Sequence, residues 1–368
     1  MKQPYRVLDA KQTGDEASSL RDKLSRLVIG QSEAIEQIVD VYQMHVTGLA
    51  APGRPVGNFL LLGPTGSGKT RTVEALAQAL IGNPQAVIKI DCAEFQHSHE
   101  IAKLIGSPPG YIGHRETHPL LSQEVLAQHH SEALKISLVL FDEIEKASDA
   151  LWNLLLGILD KATLTLGDNR RVDFSRAMIF MTSNLGATEM EALNAPKLGF
   201  ERHWRAEKPH EQLDGKISRT GIAAARRKFT PEFINRIDKI AVFKPLDGAD
   251  LSRVLDIELA QVQQRILTSS SGKPFSLSVS ESGKRFLIEQ GTDIRYGARH
   301  LKRAIERLVV HPISNLIATN QVNSGDWIEA DFDRVSKCLL FTKRTDGRAP
   351  AVVVRRSRER SHISTAAA

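Results

Sequence analysis

The run "GPTGSGKT", Gly63 to Thr70, sets three glycines around hydroxyl side chains and ends on a lysine and a threonine. Glycines at this spacing let backbone N–H groups converge on phosphate oxygens without side-chain collision, and the start of a helix adds partial positive charge. Lys69 then neutralises the outer phosphates, and Thr70 is a ligand for Mg²⁺. The whole run, Gly63, Pro64, Thr65, Gly66, Ser67, Gly68, Lys69 and Thr70, is therefore a candidate nucleotide-binding loop. Its context agrees, because the apolar "NFLLL" precedes it and the helical "TRTVEALAQAL" follows.

A second apolar run, "ISLVLF", ends in Asp142 and Glu143. Two adjacent carboxylates after a buried strand are costly unless they do chemistry. Asp142 is expected to hold Mg²⁺ and Glu143 to polarise an attacking water as general base. A third run, "AMIFMT", leads to Ser183 and Asn184. Asn184 suits either the orientation of that water or the cap of the next helix. Together these groups predict a nucleoside triphosphatase. A different signal is "GSPPGYIGHRETHP", residues 106–119, which has no apolar period and holds Tyr111 out between glycines.

The elements that must position these residues are legible as alternating periods. "SSLRDKLSRLV" and "SEAIEQIVDVYQMHV" read as helices, with Ser32 as N-cap and Glu33 in the first turn. "NFLLL", "AVIKID", "ISLVLF", "AMIFMT" and "KIAVF" alternate with helical stretches, which predicts an α/β fold with a parallel five-stranded sheet covered on both faces. Residues 201–221 read as a polar, irregular, exposed insertion. Beyond about Leu246, long amphipathic helices interleave with "FSLSVS", "DWIEADF" and "CLLFTKR", a smaller, mainly helical α+β domain.

Composition bounds the rest. With 368 residues, 41% hydrophobic and 25% charged, the chain has ordinary globular composition. Its two cysteines, Cys92 and Cys338, offer neither a disulfide framework nor a cysteine zinc site, which fits a reducing, cytoplasmic compartment. No signal segment or membrane span is read. Much of the formal charge of +6 sits in the C-terminal tail, which suits either a solvated end or contact with nucleic acid; no nucleic-acid recognition module is read.

"VIGQSEAIEQI", "GRPVGNFLLLGPTGSGKT", "IGSPPGYIG", "LVLFDEIEKA", "RVDFSRAMIFMTSNLG", "FTPEFINRID" and "YGARHLKRAIE" occur in the order expected of the second ATPase module of the Clp family, the hexameric AAA+ protein unfoldases. The chain resembles that module from about Ser19 to residue 343. The resemblance implies a phosphate-loop large domain over 19–245, a small domain over 246–343, an N-terminal extension over 1–18 and a basic tail over 344–368. It implies ATP and Mg²⁺ as ligands, with Val28 and Ile29 lining the adenine pocket. Lys69, Thr70, Asp142 and Glu143 match the two Walker motifs, and Asn184 matches sensor 1. Arg236 matches the arginine finger that reaches a neighbour's γ-phosphate, and Arg299 matches sensor 2. Tyr111, with Ile112, matches the pore loop that grips polypeptide.

The implied partners are identical subunits in a ring, a hexamer, with unfolded or tagged protein substrates. An adaptor and a peptidase belong to the same expectation. "KLGF" holds Leu198, Gly199 and Phe200 where protease-coupled relatives carry a docking loop; tucking back onto their own domain is the alternative. The family's first ATPase module, N-terminal domain and coiled-coil middle domain are not in this sequence, so a single ring is expected. The segment after Gly113 is several residues longer than the family pattern, with "THP" in place of a glycine pair. Its histidines, His114, His118, His129 and His130, read as solvated.

Overall fold

The five apolar runs do assemble into one parallel sheet. A computed structural model describes residue 9 and residues 12–107, 118–132, 134–194, 210–269, 273–291 and 298–344. The chain divides into two compact units, Met1–Ile257 with Gln290–Arg303, and Glu258–Glu289 with Ala304–Ala368. The first opens with helices α1 (Asp15–Leu27) and α2 (Ser32–Val46), strand β1 (Gly57–Leu62), helix α3 (Lys69–Ile81) and strand β2 (Ile88–Asp91). Short helices α4 (Ala102–Ile105) and α5 (Gln123–Ala127) lead to strand β3 (Ser137–Asp142) and helix α6 (Asp149–Lys161). A hairpin, β4 (Thr163–Thr165) with β5 (Arg171–Asp173), precedes strand β6 (Ala177–Ser183). Helices α7 (Ala187–Asn194), α8 (His210–Lys228) and α9 (Pro231–Ile234) and strand β7 (Lys239–Val242) complete the sheet, and helix α10 (Gly248–Thr268) follows.

The strand order is β2-β3-β6-β1-β7, every pair parallel. Side chains alternate between two cores, as a pleated strand dictates. Leu60 and Leu62 of β1, Val139 and Phe141 of β3, and Ile179 and Met181 of β6 face a core with α6 and α8. Phe59, Leu61, Leu138, Leu140, Met178 and Phe180 face one with α1, α2 and α3. The Phe59 and Phe180 rings stack at 4.8 Å across the β1–β6 pair. Because β3, β6 and β1 are neighbours, Asp142, Ser183 and Gly63 leave one sheet edge on adjacent strands, each about 5 Å from the next. This is how groups distant in sequence meet.

Two sequence expectations are corrected. Residues 210–221 are not irregular; they form the first part of α8, and Ile217 is buried in the core with Ala225 and Phe229. The spacing of Ile217, Gly221, Ala225 and Phe229 is helical, and polar neighbours concealed it. A Cβ on Gly221 would crowd the terminal methyl of Met190, which would have to shift. Ser32 is the first residue of α2 and not its cap; Gln31 holds the cap position and makes no cap hydrogen bond.

In the second unit, strands β8 (Ser276–Val279), β9 (Trp327–Asp333) and β10 (Cys338–Lys343) form a sheet in the order β10-β9-β8. Helix α11 (Glu281–Gly291) places Phe286 against Phe332 at 4.5 Å. Gln263 of α10 receives the Leu277 N–H at 2.7 Å and donates to the Phe275 carbonyl at 2.9 Å, holding the start of β8. Helix α12 (Ala298–Ile305), which belongs to the first unit as far as Arg303, continues through a π-helical stretch, Glu306–Val310, into α13 (His311–Ala318). No helix among the described residues is long and apolar enough to cross a membrane.

Candidate functional site

The loop after β1 takes the backbone its glycines allow. Gly63 has φ 150°, and a Cβ on it would lie 2.5 Å from the Phe243 carbonyl oxygen, so no other residue fits against β7 there. Gly68 caps α3 at φ 100°, in the left-handed region, with open space where a side chain would sit. Lys69 follows at 8% exposure. Its ammonium donates to the carbonyls of Gly63 at 2.7 Å and Pro64 at 2.9 Å, and to Asn184 Oδ1 at 2.8 Å. Burial pushes its pKa down to about 8, against the opposing pull of Asp142 and Glu145. A buried ammonium beside a left-handed glycine loop at a helix start is a cradle that fits the phosphates of ATP.

Asp142 and Glu143 are built at the end of β3 by a strained turn. Glu143 has φ 56° and ψ 49°, a left-handed conformation uncommon outside glycine and asparagine. Thr182 stabilises that turn: its hydroxyl accepts from the Glu143 N–H at 3.0 Å and donates to Asp142. The Thr70 hydroxyl lies 3.5 Å from the other Asp142 oxygen. A hydroxyl and a carboxylate, with oxygen donors only, fit Mg²⁺.

The Asn184 side chain lies between two of these groups. Its Oδ1 accepts from Lys69 at 2.8 Å and its Nδ2 donates to Glu143 Oε1 at 3.4 Å. Its backbone N–H donates to Glu145 Oε1 at 3.0 Å. The other oxygen of Glu143 pairs with Lys146, three residues on, and the carboxylate raises the pKa of that lysine. Cys92 is buried nearby, its thiol pushed up by burial and then by Asp142, which keeps it protonated.

The "VIGQ" turn reaches this loop through a residue the sequence reading passed over. Gln31, at 4% exposure, donates from Nε2 to the Ser67 carbonyl at 3.2 Å and the Lys244 carbonyl at 3.0 Å, and accepts from the Lys244 N–H at 3.1 Å. It ties the phosphate loop to the end of β7. Val28 and Ile29 are buried beside it. From the start of α12, the Ala298 N–H donates to the Gly66 carbonyl at 3.3 Å, and the Arg299 charge is near enough to lower the Lys69 pKa. Thr182, Glu145 and Lys146 were missed as well. Only "DEIEK" carried a trace of the last two, as charges just past the strand end.

Arg236 lies elsewhere. Its carbonyl accepts from Asn58 Nδ2 at 3.1 Å, and Asn58 is at the amino end of β1, five residues before Gly63. That separation is about 17 Å of extended strand, longer than an arginine side chain. The guanidinium pairs instead with Asp160 at 3.3 Å and Glu232 at 3.7 Å, while its buried Nε has no aligned hydrogen-bond acceptor among the described residues.

Tyr111, Ile112, His114, Leu198, Gly199 and Phe200 lie outside the described residues. The stem of the 108–117 stretch is described. Leu120 and Leu121 N–H groups donate to the Lys103 and Leu104 carbonyls at 3.2 and 3.1 Å, and the Gly167 N–H donates to the Ile105 carbonyl at 2.8 Å. His118 is exposed, but His130 is not simply solvated, because its Nε2 meets Ser137 Oγ at 2.8 Å. Among the described residues, no three or more His, Cys, Asp or Glu side chains gather as a group that could hold a metal ion.

Residues 54–240 match the family model described as "AAA domain (Cdc48 subfamily)", and residues 246–330 match "C-terminal, D2-small domain, of ClpB protein". The chain is 37% identical over 309 residues to "Chaperone protein ClpB" of Bdellovibrio bacteriovorus, covering 84% of this chain and 33% of that protein. It is 35% identical over 332 residues to "ATP-dependent Clp protease ATP-binding subunit ClpC" of Staphylococcus saprophyticus, covering 90% of this chain and 38% of that one. A solved Hsp104:casein complex of S. cerevisiae superposes with TM-score 0.73 at 28% identity, over 90% of this chain and 53% of that one. The chain thus spans about a third of the length of the curated relatives it matches.

Proposed function

The chain belongs to the AAA family, in the Clp form that joins an AAA domain to a ClpB-type small domain, and from that premise we propose that it hydrolyses ATP in a hexameric ring to unfold or remodel polypeptide. The observation that carries the reading is the Asn184 amide, which touches Lys69 with one end and Glu143 with the other. One side chain thereby spans the phosphate-binding and water-activating groups. Lys69 offers its ammonium to the outer phosphates, exchanging its present acceptors for phosphate oxygens, and Arg299 adds a second cation. Mg²⁺, held through Thr70 and Asp142, would neutralise phosphate charge. Glu143 takes the proton of the attacking water on a carboxylate oxygen and gives up Lys146 as it does so, while Asn184 orients that water. Arg236, too far along β1 for its own site, acts on the nucleotide of a neighbouring subunit, so turnover depends on assembly.

Threading past Tyr111 and Ile112 is the proposed use of that turnover. In its support, Ile105, shortly before these residues in the chain, is bonded to Gly167 in the β4–β5 hairpin, and β5 is followed after three residues by β6, which ends at the candidate nucleotide site. Movement at the edge thus has a short path to the loop. Casein in the Hsp104 complex is a polypeptide bound by a similar fold. A peptidase engaged through Leu198, Gly199 and Phe200, an adaptor, and a cytoplasmic setting are parts of the same proposal; the ClpC relative's name refers to a protease.

The test is ATP turnover against protein concentration, with and without unfolded casein, for the native chain and Tyr111→Ala. Turnover should rise as subunits assemble, and casein should stimulate only the native chain. Turnover independent of concentration would remove the ring, and equal stimulation of both chains would remove the threading. A mixture of Lys69→Ala and Arg236→Ala subunits, each inactive alone, should regain turnover, because one supplies the site and the other the arginine.

A further inference from the structure

We infer that Asn58 is a positioning residue for Arg236, setting where its guanidinium stands for the neighbouring subunit's nucleotide. This rests on the reading of Arg236 as an arginine that acts across an interface. Asn58 is a fully buried polar residue in an otherwise apolar strand, with 0% exposure. Both amide protons are used: one goes to the Arg236 carbonyl and the other to the Leu159 carbonyl, each at 3.1 Å. Two carbonyl neighbours fix which way the amide points, because an oxygen turned toward either would repel. The Oδ1 then faces no partner among the described residues. A β-branched or aliphatic side chain would suit the strand and leave no unpaired Oδ1, but it would take both donors from the Leu159 and Arg236 carbonyls. The amide therefore acts through what it joins.

What it joins are the two ends of one device. Arg236 stands two residues past the end of α9, a four-residue helix capped by Asn235, and so has little regular structure behind it. Leu159 is the residue before Asp160, whose carboxylate lies 3.3 Å from the Arg236 Nε. One amide thus sets the spacing between the root of the arginine and the backbone that carries its acidic partner. The Asn58 backbone continues the same clasp: its N–H donates to Asp238 Oδ2 at 2.9 Å, and its carbonyl accepts from the Asp238 N–H at 2.9 Å. Arg54 closes the other side, pairing with Asp238 at 3.5 Å. A small shift at the carbonyl is carried along the arginine side chain to its tip, where misplacement by about 1 Å lowers a rate by up to 10²-fold.

The experiment is steady-state ATP turnover, ADP affinity and assembly mass, measured on the same samples of the full chain carrying Asn58→Ala, Asn58→Ser, Arg236→Ala and the Asn58→Ala/Arg236→Ala pair. Asn58→Ala should lower kcat about tenfold with KM, ADP affinity and assembly unchanged, and Asn58→Ser, which keeps one donor, should fall between. The pair should be no slower than Arg236→Ala alone, because both changes disable one device. Native kcat in Asn58→Ala, a further tenfold loss in the pair, or a loss of kcat that tracks loss of assembly would each overturn the inference. If Asn58→Ala does not fold, Asn58→Ser is read by the same criteria. If Arg236→Ala itself keeps full turnover, it is the reading of Arg236 that fails.

Discussion

Strand β1 ends in two sites, and they are assembled on different principles. At its carboxyl end, Gly63 to Thr70 are contiguous, and the partners Asp142, Glu143 and Asn184 arrive on the next two strands of the sheet. At its amino end, Asn58, Asp160, Arg236 and Asp238 come from β1, α6 and the turn between α9 and β7, held by single hydrogen bonds and ion pairs. The first is a closed network in which Lys69 has three acceptors in its own chain. The second presents a cation whose Nε has no aligned acceptor. The site proposed to bind within the subunit is satisfied locally, and the one proposed to serve a neighbour holds its cation between the carboxylates of Asp160 and Glu232.

The widest separation between the two ends should come from Arg236→Ala. It is expected to lower ring turnover about 10³-fold while titration calorimetry finds nucleotide affinity intact; a fall in affinity would erase the distinction. Glu143→Gln comes next, with turnover down about 10²-fold or more and ATP retained long enough to be recovered with the protein.

The pH dependence of binding tests the closed end alone. Lys69, lowered to about 8 in the free protein, must be protonated to meet phosphate, so affinity should be level below that pH and fall above it. The slope should approach tenfold per pH unit, with proton uptake seen as a buffer-dependent binding enthalpy. The same shift has a stability counterpart. The folded-state value lies below the unfolded one, so between about 8 and the ordinary lysine value the unfolded chain binds more protons, and stability from this group rises with pH. The smallest effect is expected of Lys146→Ala. Its half-exposed pair with Glu143 is worth at most about 1 kcal/mol, and removing it should raise unstimulated turnover about twofold.

The two ends also differ in how far they could be read in advance. The candidate phosphate loop, Asp142 and Glu143 stood out in the sequence because the chemistry proposed for them demands particular residue types at fixed spacing. Asn184 was legible as a position, but its contacts with Lys69 and Glu143 were not, since a strand end followed by Asn suits a cap equally well. Gln31 and Thr182 left no such mark. Gln31 acts through three hydrogen bonds to partners 36 to 213 residues away and Thr182 through two to partners 39 to 40 residues away, and nothing local reveals that. The helix over 210–221 was missed for a different reason, because its apolar stripe is thin and interrupted by Gly221, which lies against the Met190 methyl.

What the sequence determined by itself is the alternation of buried strands and amphipathic helices, and with it a covered parallel sheet and a phosphate loop at a strand end. Those follow from periodicity and local backbone preference, which act over a few residues. Only the tertiary structure decided the strand order that brings Asp142 and Asn184 beside Lys69, and the clasp that keeps Arg236 at the opposite edge. Both depend on pairing across long stretches of chain, where the partner of a given hydrogen bond is chosen by packing and not by its neighbours in sequence.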